Sequence, residues 1–116
     1  MLKIKGSKIW LTRGDSAYIT LEPTVGDDEE VYKLQEGDTV HAQIRTEPNT
    51  GDLLAEGEIL HGDDGSVIWY LRPADTKDLD IGTYYWDAEL DLSNGDIFTF
   101  ITSSPFNVTD EVTMHE

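Results

Sequence analysis

The chain has 116 residues, the length of one domain with a single core. Its 24 acidic and 8 basic residues give a formal net charge of −16, which argues against nucleic acids and anionic membranes as partners, because both are bound by clustered lysine and arginine. Hydrophobic residues make up 38% of the chain, so a packed fold is expected rather than disorder, and the absence of cysteine excludes a disulfide.

Short apolar runs separated by turn residues predict strands throughout the first half of the chain. In most of these runs apolar and polar residues alternate, as in a strand with one buried face and one wet face. Gly14, Pro23 and Gly37 mark the breaks between them. The predicted strands of this half are residues 9–12, 17–21, 31–34, 40–45 and 53–59.

The second half contains the clearest alternation and the only predicted helical turn, at residues 72–81. Residues 67–71 are apolar on both faces, which indicates a central or covered strand. In residues 84–92 large apolar side chains alternate with acids, and the Asn94-Gly95 pair that follows is typical of a hairpin turn. The second hairpin strand is expected at 97–102. A short edge segment at 105–108 and a polar tail at 110–116 complete the chain.

These elements predict an all-β fold. Short strands, frequent turns and no amphipathic helix of useful length are typical of a β-sandwich. We therefore expect one domain spanning residues 1–116, built from about seven to nine antiparallel strands in an immunoglobulin-like arrangement without a disulfide.

Residues 71–76 and 82–86 resemble the corner that leads into strand F of immunoglobulin domains, where a tyrosine ties a turn to the strand. In this chain Tyr84 matches that tyrosine and Trp86 stands where the second core cysteine would be. Tyr84 is expected to be buried, with its hydroxyl hydrogen-bonded near the turn at Asp75 and Thr76. Trp86 is expected to lie in the core.

Taken together, several motifs resemble a family of phage structural domains, of which the best known are the N-terminal domains of upper baseplate proteins in phages of Gram-positive bacteria. The resemblance implies a β-sandwich without enzymatic activity that packs into a virion and contacts other virion proteins or its own copies. It also implies synthesis in the host cytoplasm. Because this chain stops at Glu116, whereas those proteins continue into further domains, a separate tail, neck or head subunit fits equally well. The motifs are residues 11–16, 37–40, 75–76, 82–90 and 105–109.

Nothing in the sequence has the spacing of a catalytic or cofactor site, so no enzyme, no cofactor and no metal site is predicted. His41, His61 and His115 are far apart in the sequence, and the serines lack a nucleophile-elbow motif. The acidic segments 26–30 and 62–65 are interpreted as solvated loops. Calcium remains an alternative ligand for them, because its preferred ligands are oxygens.

Two other classes of function remain open. Trp10, Trp69 and Trp86 could form a platform for sugars, as in carbohydrate-binding β-sandwiches, although Trp86 and Trp69 are more simply core residues. The acidic charge alone would also suit an inhibitor that mimics DNA, but here the acids are spread over most of the loops.

The register of the predicted hairpin locates a candidate protein interface. If Asn94-Gly95 is a two-residue loop, Ser93 pairs with Asp96, and Phe98 and Phe100 face the acidic side of the preceding strand together with Tyr85. Exposed aromatic rings beside polar groups are typical of protein contact sites. The alternative is a three-residue loop with a bulge, which would turn both phenylalanines toward the core.

Overall fold

The structure is a computed structural model, which describes residues 1–25, 30–48, 51–62 and 65–110. Within these residues the chain folds into two β-sheets and one short helix, as the all-β prediction requires. None of the described helices is long and apolar enough to cross a membrane. The elements are β1 (Leu2–Lys5), β2 (Lys8–Thr12), β3 (Ala17–Leu21), β4 (Thr39–Arg45), β5 (Leu53–Ala55), β6 (Glu58–His61), β7 (Val67–Leu71), α1 (Pro73–Thr76), β8 (Gly82–Asp91) and β9 (Ile97–Thr109).

The larger sheet has six strands in the order β1-β2-β9-β8-β4-β5, and the smaller has three in the order β3-β7-β6. The strand at residues 67–71 is therefore central in its sheet, as predicted. All pairs are antiparallel except β2 with β9, which run parallel. The prediction of purely antiparallel pairing is wrong at this one pair, because the last strand returns beside the second.

The core lies between the two sheets and includes apolar faces that the alternation predicted, those of residues 17–21 and 40–45 among them. Its centre is aromatic: the Trp69 ring of the small sheet stacks on Trp86 of the large sheet, with centroids 5.1 Å apart, and meets the edge of Phe106 at 6.2 Å. All three side chains are buried. Such contacts stabilise a core beyond the area that the rings bury. The remaining core residues are Ile9, Leu11, Ala17, Ile19, Leu21, Val40, Ala42, Ile44, Ala55, Val67, Leu71, Ala88, Leu90 and Val108.

Four local predictions differ from the structure. Residues 53–59 are two strands rather than one, because the chain leaves the large sheet after β5, turns at Gly57 with a φ of 62°, and enters the small sheet as β6. Residues 97–102 and 105–108 are one continuous strand, β9, which lies inside the large sheet rather than at an edge. Residues 31–34 form no strand, and β1 was not predicted.

The predicted register of the β8–β9 hairpin is wrong beside the turn. Gly95 donates to the Leu92 carbonyl and Leu92 to the Asp96 carbonyl, so the loop has three residues, 93–95, with Gly95 at a φ of 98°. Consequently Leu90 pairs with Phe98, and Glu89 with Thr99. A shift in the ladder then brings Ala88 opposite Ile101, the predicted pair. A glycine that accepts a positive φ after a tight turn allows this bulged loop.

The corner between α1 and β8 uses partners other than those predicted. Tyr84 is half-buried, and its hydroxyl donates to the Asp80 carbonyl at 2.8 Å rather than to the turn at residues 75–76. Asp75 accepts from the backbone of Arg72 at 2.7 Å, and the fully buried Thr76 accepts from the backbone of Gly14 at 2.9 Å. The turn therefore ties α1 to the β2–β3 connection, while Tyr84 closes the segment that directly precedes β8.

A second tie joins the start of β4 to the β8–β9 turn through the buried carboxylate of Asp38. Oδ2 accepts from the backbone of Gln35 and from the Tyr32 hydroxyl, both at 2.8 Å, and Oδ1 accepts from the backbone of Ser93 at 2.9 Å. These bonds, the Gln35 bond first, lower the pKa of Asp38 below its usual 3.8 because each favours the charged form.

The lowered pKa of Asp38 predicts a pH-dependent loss of stability. A carboxyl whose folded pKa is depressed stabilises the fold above its unfolded pKa, and this contribution disappears as the pH falls through the folded value. We expect Asp38→Asn to lower the urea midpoint at pH 7 and the difference from the wild type to shrink below a pH of 3.8. Tyr32→Phe, which removes one of the three donors, should show part of the same effect. A difference that is constant with pH would contradict the assignment.

Candidate functional site

The residues predicted as a protein interface do not share one outer surface. Phe98 and Phe100 are half-buried, and Phe100 packs partly against the core. The observed register pairs Phe98 with the buried Leu90, so Phe98 lies on the same side of the sheet as Leu90. Ile97, which the predicted register placed inward, is 60% exposed. Tyr85 is half-buried on β8 and pairs with Arg45 and Pro105. The register on which this interface depended is therefore wrong.

The tryptophans and acidic loops can be placed only in part. Trp69 and Trp86 are core residues, and Trp10 is half-buried on β2, with the Lys3 ammonium 5.4 Å from its ring centroid. A sugar stacking on Trp10 would have to displace Lys3. The acidic segments 26–30 and 62–65 and the polar tail 110–116 lie largely outside the described residues. In the described part of the chain, no three histidine or carboxylate side chains are placed to hold a metal ion.

An aromatic stripe crosses the outer face of the three-stranded sheet; we use the name for Tyr18, Tyr70 and Arg72. Tyr18 on β3 and Tyr70 on β7 are directly paired, and their rings stack with centroids 4.5 Å apart and planes 11° from parallel. The Arg72 guanidinium lies 5.0 Å from the Tyr70 ring and pairs with Glu58 of β6. A hydrogen bond with Tyr70 raises the pKa of Tyr18 above its ordinary value, so the Tyr18 hydroxyl is neutral at pH 7.

The row next to the aromatic stripe is aliphatic at its centre. Ile68 of β7 pairs with Thr20 on one side and Leu60 on the other, and both aliphatic side chains are half-buried. Tyr18 itself is 62% exposed. The face thus combines rigid aromatic rings, an arginine and aliphatic side chains. Tyrosine and arginine are enriched among the residues that contribute most to protein–protein binding.

A polar cleft of about 600 Å³ lies on the outer face of the six-stranded sheet. Successive side chains of a strand point to opposite faces of the sheet. The side chains of β4, β8 and β9 that face away from the core therefore project into this cleft. Arg45 Nε lies 3.8 Å from Asp87 Oδ2, and His41 Nε2 lies 3.4 Å from Asp91 Oδ2 beside the cleft. The lining residues are His41, Gln43, Arg45, Asp87, Glu89, Thr99, Thr102 and Ser103.

Partial burial alters the carboxyls in the polar cleft. It raises the pKa of Asp87, and the neighbouring Arg45 opposes that rise. Burial also raises the pKa of Glu89, and the nearby Asp91 carboxylate raises it further. Unlike the aromatic stripe, the cleft is lined by polar side chains, so a partner seated there would bury little apolar surface. The aromatic stripe is therefore the better candidate for a protein contact.

The aromatic stripe was not predicted from the sequence. One available signal was that residues 67–71 are apolar on both faces, which requires either a cover or an exposed apolar surface. The other was Tyr18 on the polar side of its strand. Only the pairing of β3 with β7 brings Tyr18 beside Tyr70, and sequence pattern alone does not specify that pairing.

Comparisons with known proteins add no relative: no protein-family model, no curated protein and no solved structure matches this chain.

Proposed function

We propose that the chain is a non-enzymatic structural protein of a phage or prophage virion, in the tail, baseplate or neck, and that it acts by assembling with other virion proteins. The proposal includes an immunoglobulin-like type for its two-sheet fold. It also includes synthesis in the host cytoplasm followed by incorporation into the virion. The ordered motifs between residues 11 and 109 support the phage origin by resemblance.

The observation that carries the assembly function is the exposed aromatic stripe. Tyr18 is 62% exposed. Its ring stacks on Tyr70, and a stacked pair of this kind offers a partner a large contact area at little cost in conformational entropy. Cation–π contact with Arg72 holds the second ring in place. On a chain with a net charge of −16, this face carries the neutral rings and a paired arginine and glutamate, so a partner meets little electrostatic repulsion there.

The alternative functions lack an observation of this kind. The carbohydrate-binding module depended on tryptophans, of which two are buried and the third lies beneath Lys3. The DNA mimic depended on charge alone. Both stay predictions.

Assembly through the aromatic stripe is tested by co-expressing the chain with the products of the reading frames that flank its gene and purifying it by an affinity tag. We expect at least one of these products to co-purify with the wild type, and Tyr18→Ser to weaken its binding by about tenfold or more, the loss typical of an interface hot spot. Ile97→Ser is the matched control, since Ile97 is similarly exposed but lies at the hairpin end. Equal binding by Tyr18→Ser and Ile97→Ser would overturn the role of the stripe.

A further inference from the structure

The six-stranded sheet ends in two strands that carry complementary features. Its end strands are β1 and β5, and no other described strand pairs with their outer sides. Following the pairings across the sheet, β1 is antiparallel to β2, β2 parallel to β9, and each remaining neighbour antiparallel. The two edge strands therefore run in the same direction. A β5 strand from a second copy could therefore lie parallel to β1 while the two copies keep the same strand direction.

The backbone of β1 has hydrogen-bonding groups that point away from the sheet. Thr12 donates to the Met1 carbonyl, so the hydrogen-bonded pairs of the β1–β2 ladder include Lys3 with Trp10. Leu2 and Ile4 occupy the alternating positions, and their N–H and C=O groups face the outer edge. Unpaired groups of this kind form a template for another strand.

Charge distinguishes the two edges. Lys3 and Lys5 of β1 are exposed, whereas the exposed residues that flank β5, Asp52 and Glu56, are acidic. Each edge also exposes one large aliphatic side chain: Ile4 is 45% exposed on β1, and Leu53 is 46% exposed on β5. Lysines on an edge strand oppose pairing with an identical edge. They favour pairing with an acidic one.

We propose that a second copy of this chain docks its β5 edge in parallel against the β1 edge of the first, so that the six-stranded sheet continues from one copy to the next. The contact is head-to-tail, because it joins two different surfaces. Such a contact generates a closed ring when the rotation between copies closes and a filament when it does not. This inference rests on the proposed assembly function and names its self-contact, which lies on a different sheet from the aromatic stripe.

Cysteine cross-linking tests the pairing directly, because the native chain contains no cysteine. Ile4→Cys and Leu53→Cys are made as separate variants that carry tags of different length, so that the cross-linked products differ in size. The two variants are mixed and treated with a short bis-maleimide reagent. We expect the product that joins the two variants to dominate. Each variant alone should stay largely uncross-linked, as should an Ile97→Cys control. Absence of the mixed product, or cross-linking of Ile4→Cys to itself as the main reaction, would overturn the proposal.

Charge exchange separates specific pairing from chance collision. Lys3→Glu with Lys5→Glu should lower the yield of the mixed product by about tenfold, since side chains that attract the acids beside β5 would then repel them. The yield of the mixed product should be restored when the Leu53→Cys copy also carries Asp52→Lys and Glu56→Lys. Lys33→Glu, an exposed lysine in the segment that precedes β4, should leave the yield unchanged. If the exchange does not restore the yield, the self-contact is wrong, while the Tyr18→Ser experiment still decides binding to other proteins.

Discussion

Trp86→Ala is expected to lower the free energy of unfolding by about 3–5 kcal/mol, the range for truncating a large buried aromatic side chain. Trp86 is 3% exposed, and its ring stacks on Trp69 across the two sheets. Its indole N–H also donates to the Ser7 carbonyl at 2.7 Å, between β1 and β2. The substitution therefore opens a cavity between the sheets and leaves a backbone acceptor without its donor. Guanidinium unfolding followed by far-UV circular dichroism measures the loss, since tryptophan fluorescence would change with the substitution itself.

Trp86→Phe separates the two contributions. Phenylalanine keeps an aromatic ring against Trp69 but cannot donate to Ser7, so we expect a smaller loss of about 1–3 kcal/mol. Should Trp86→Ala cost less than about 1 kcal/mol, the ring would contribute far less than a packed core residue does.

Gly57→Ala is expected to cost about 2–5 kcal/mol, because two effects combine at the crossing from β5 to β6. Gly57 has a φ of 62°, a conformation that costs an L residue about 1–2 kcal/mol. An added Cβ would lie 2.6 Å from the Tyr70 carbonyl oxygen and 2.8 Å from Trp69 Nε1. Overpacking of this kind typically adds about 1–3 kcal/mol. It would also disturb the bond that Trp69 Nε1 donates to the Glu56 carbonyl at 2.8 Å.

Gly6→Ala is the matched control for this substitution. Gly6 also has a φ of 62°, but nothing lies within 4 Å of its added Cβ. It should therefore cost only the backbone term of about 1–2 kcal/mol. The difference between the two variants in urea unfolding measures the close contact at Gly57. Equal costs would mean that the strand crossing can move apart to admit a methyl group.

On β4 and β8, where the sequence alternates most clearly, the predicted strands and most of their buried faces agree with the structure. Val40, Ala42 and Ile44 were expected on one face of a strand, and all three are buried on β4. The same holds for Trp86, Ala88 and Leu90 on β8. This success has a local cause, since successive side chains in a strand point to opposite faces whatever the strand pairs with.

The hairpin shows where such reasoning fails. Asn94-Gly95 predicted a two-residue loop, with a three-residue loop as the alternative, and a shift of one residue turns every side chain of a strand to the other face. The structure has the longer loop and then restores the predicted pair of Ala88 with Ile101 through an irregularity in the ladder. Phe98 and Phe100 were misplaced for this reason. The candidate site therefore lies on the three-stranded sheet rather than on the hairpin.

The all-β class, the positions of most strands and many of the core residues follow from the period of apolar residues along the chain. The fold as a whole places β9 between β8 and β2, makes the chain change sheets at Gly57, and stacks Tyr18 on Tyr70. These features depend on contacts between residues distant in sequence. A period of two specifies which face of a strand is buried, but it does not specify which strand lies beside it.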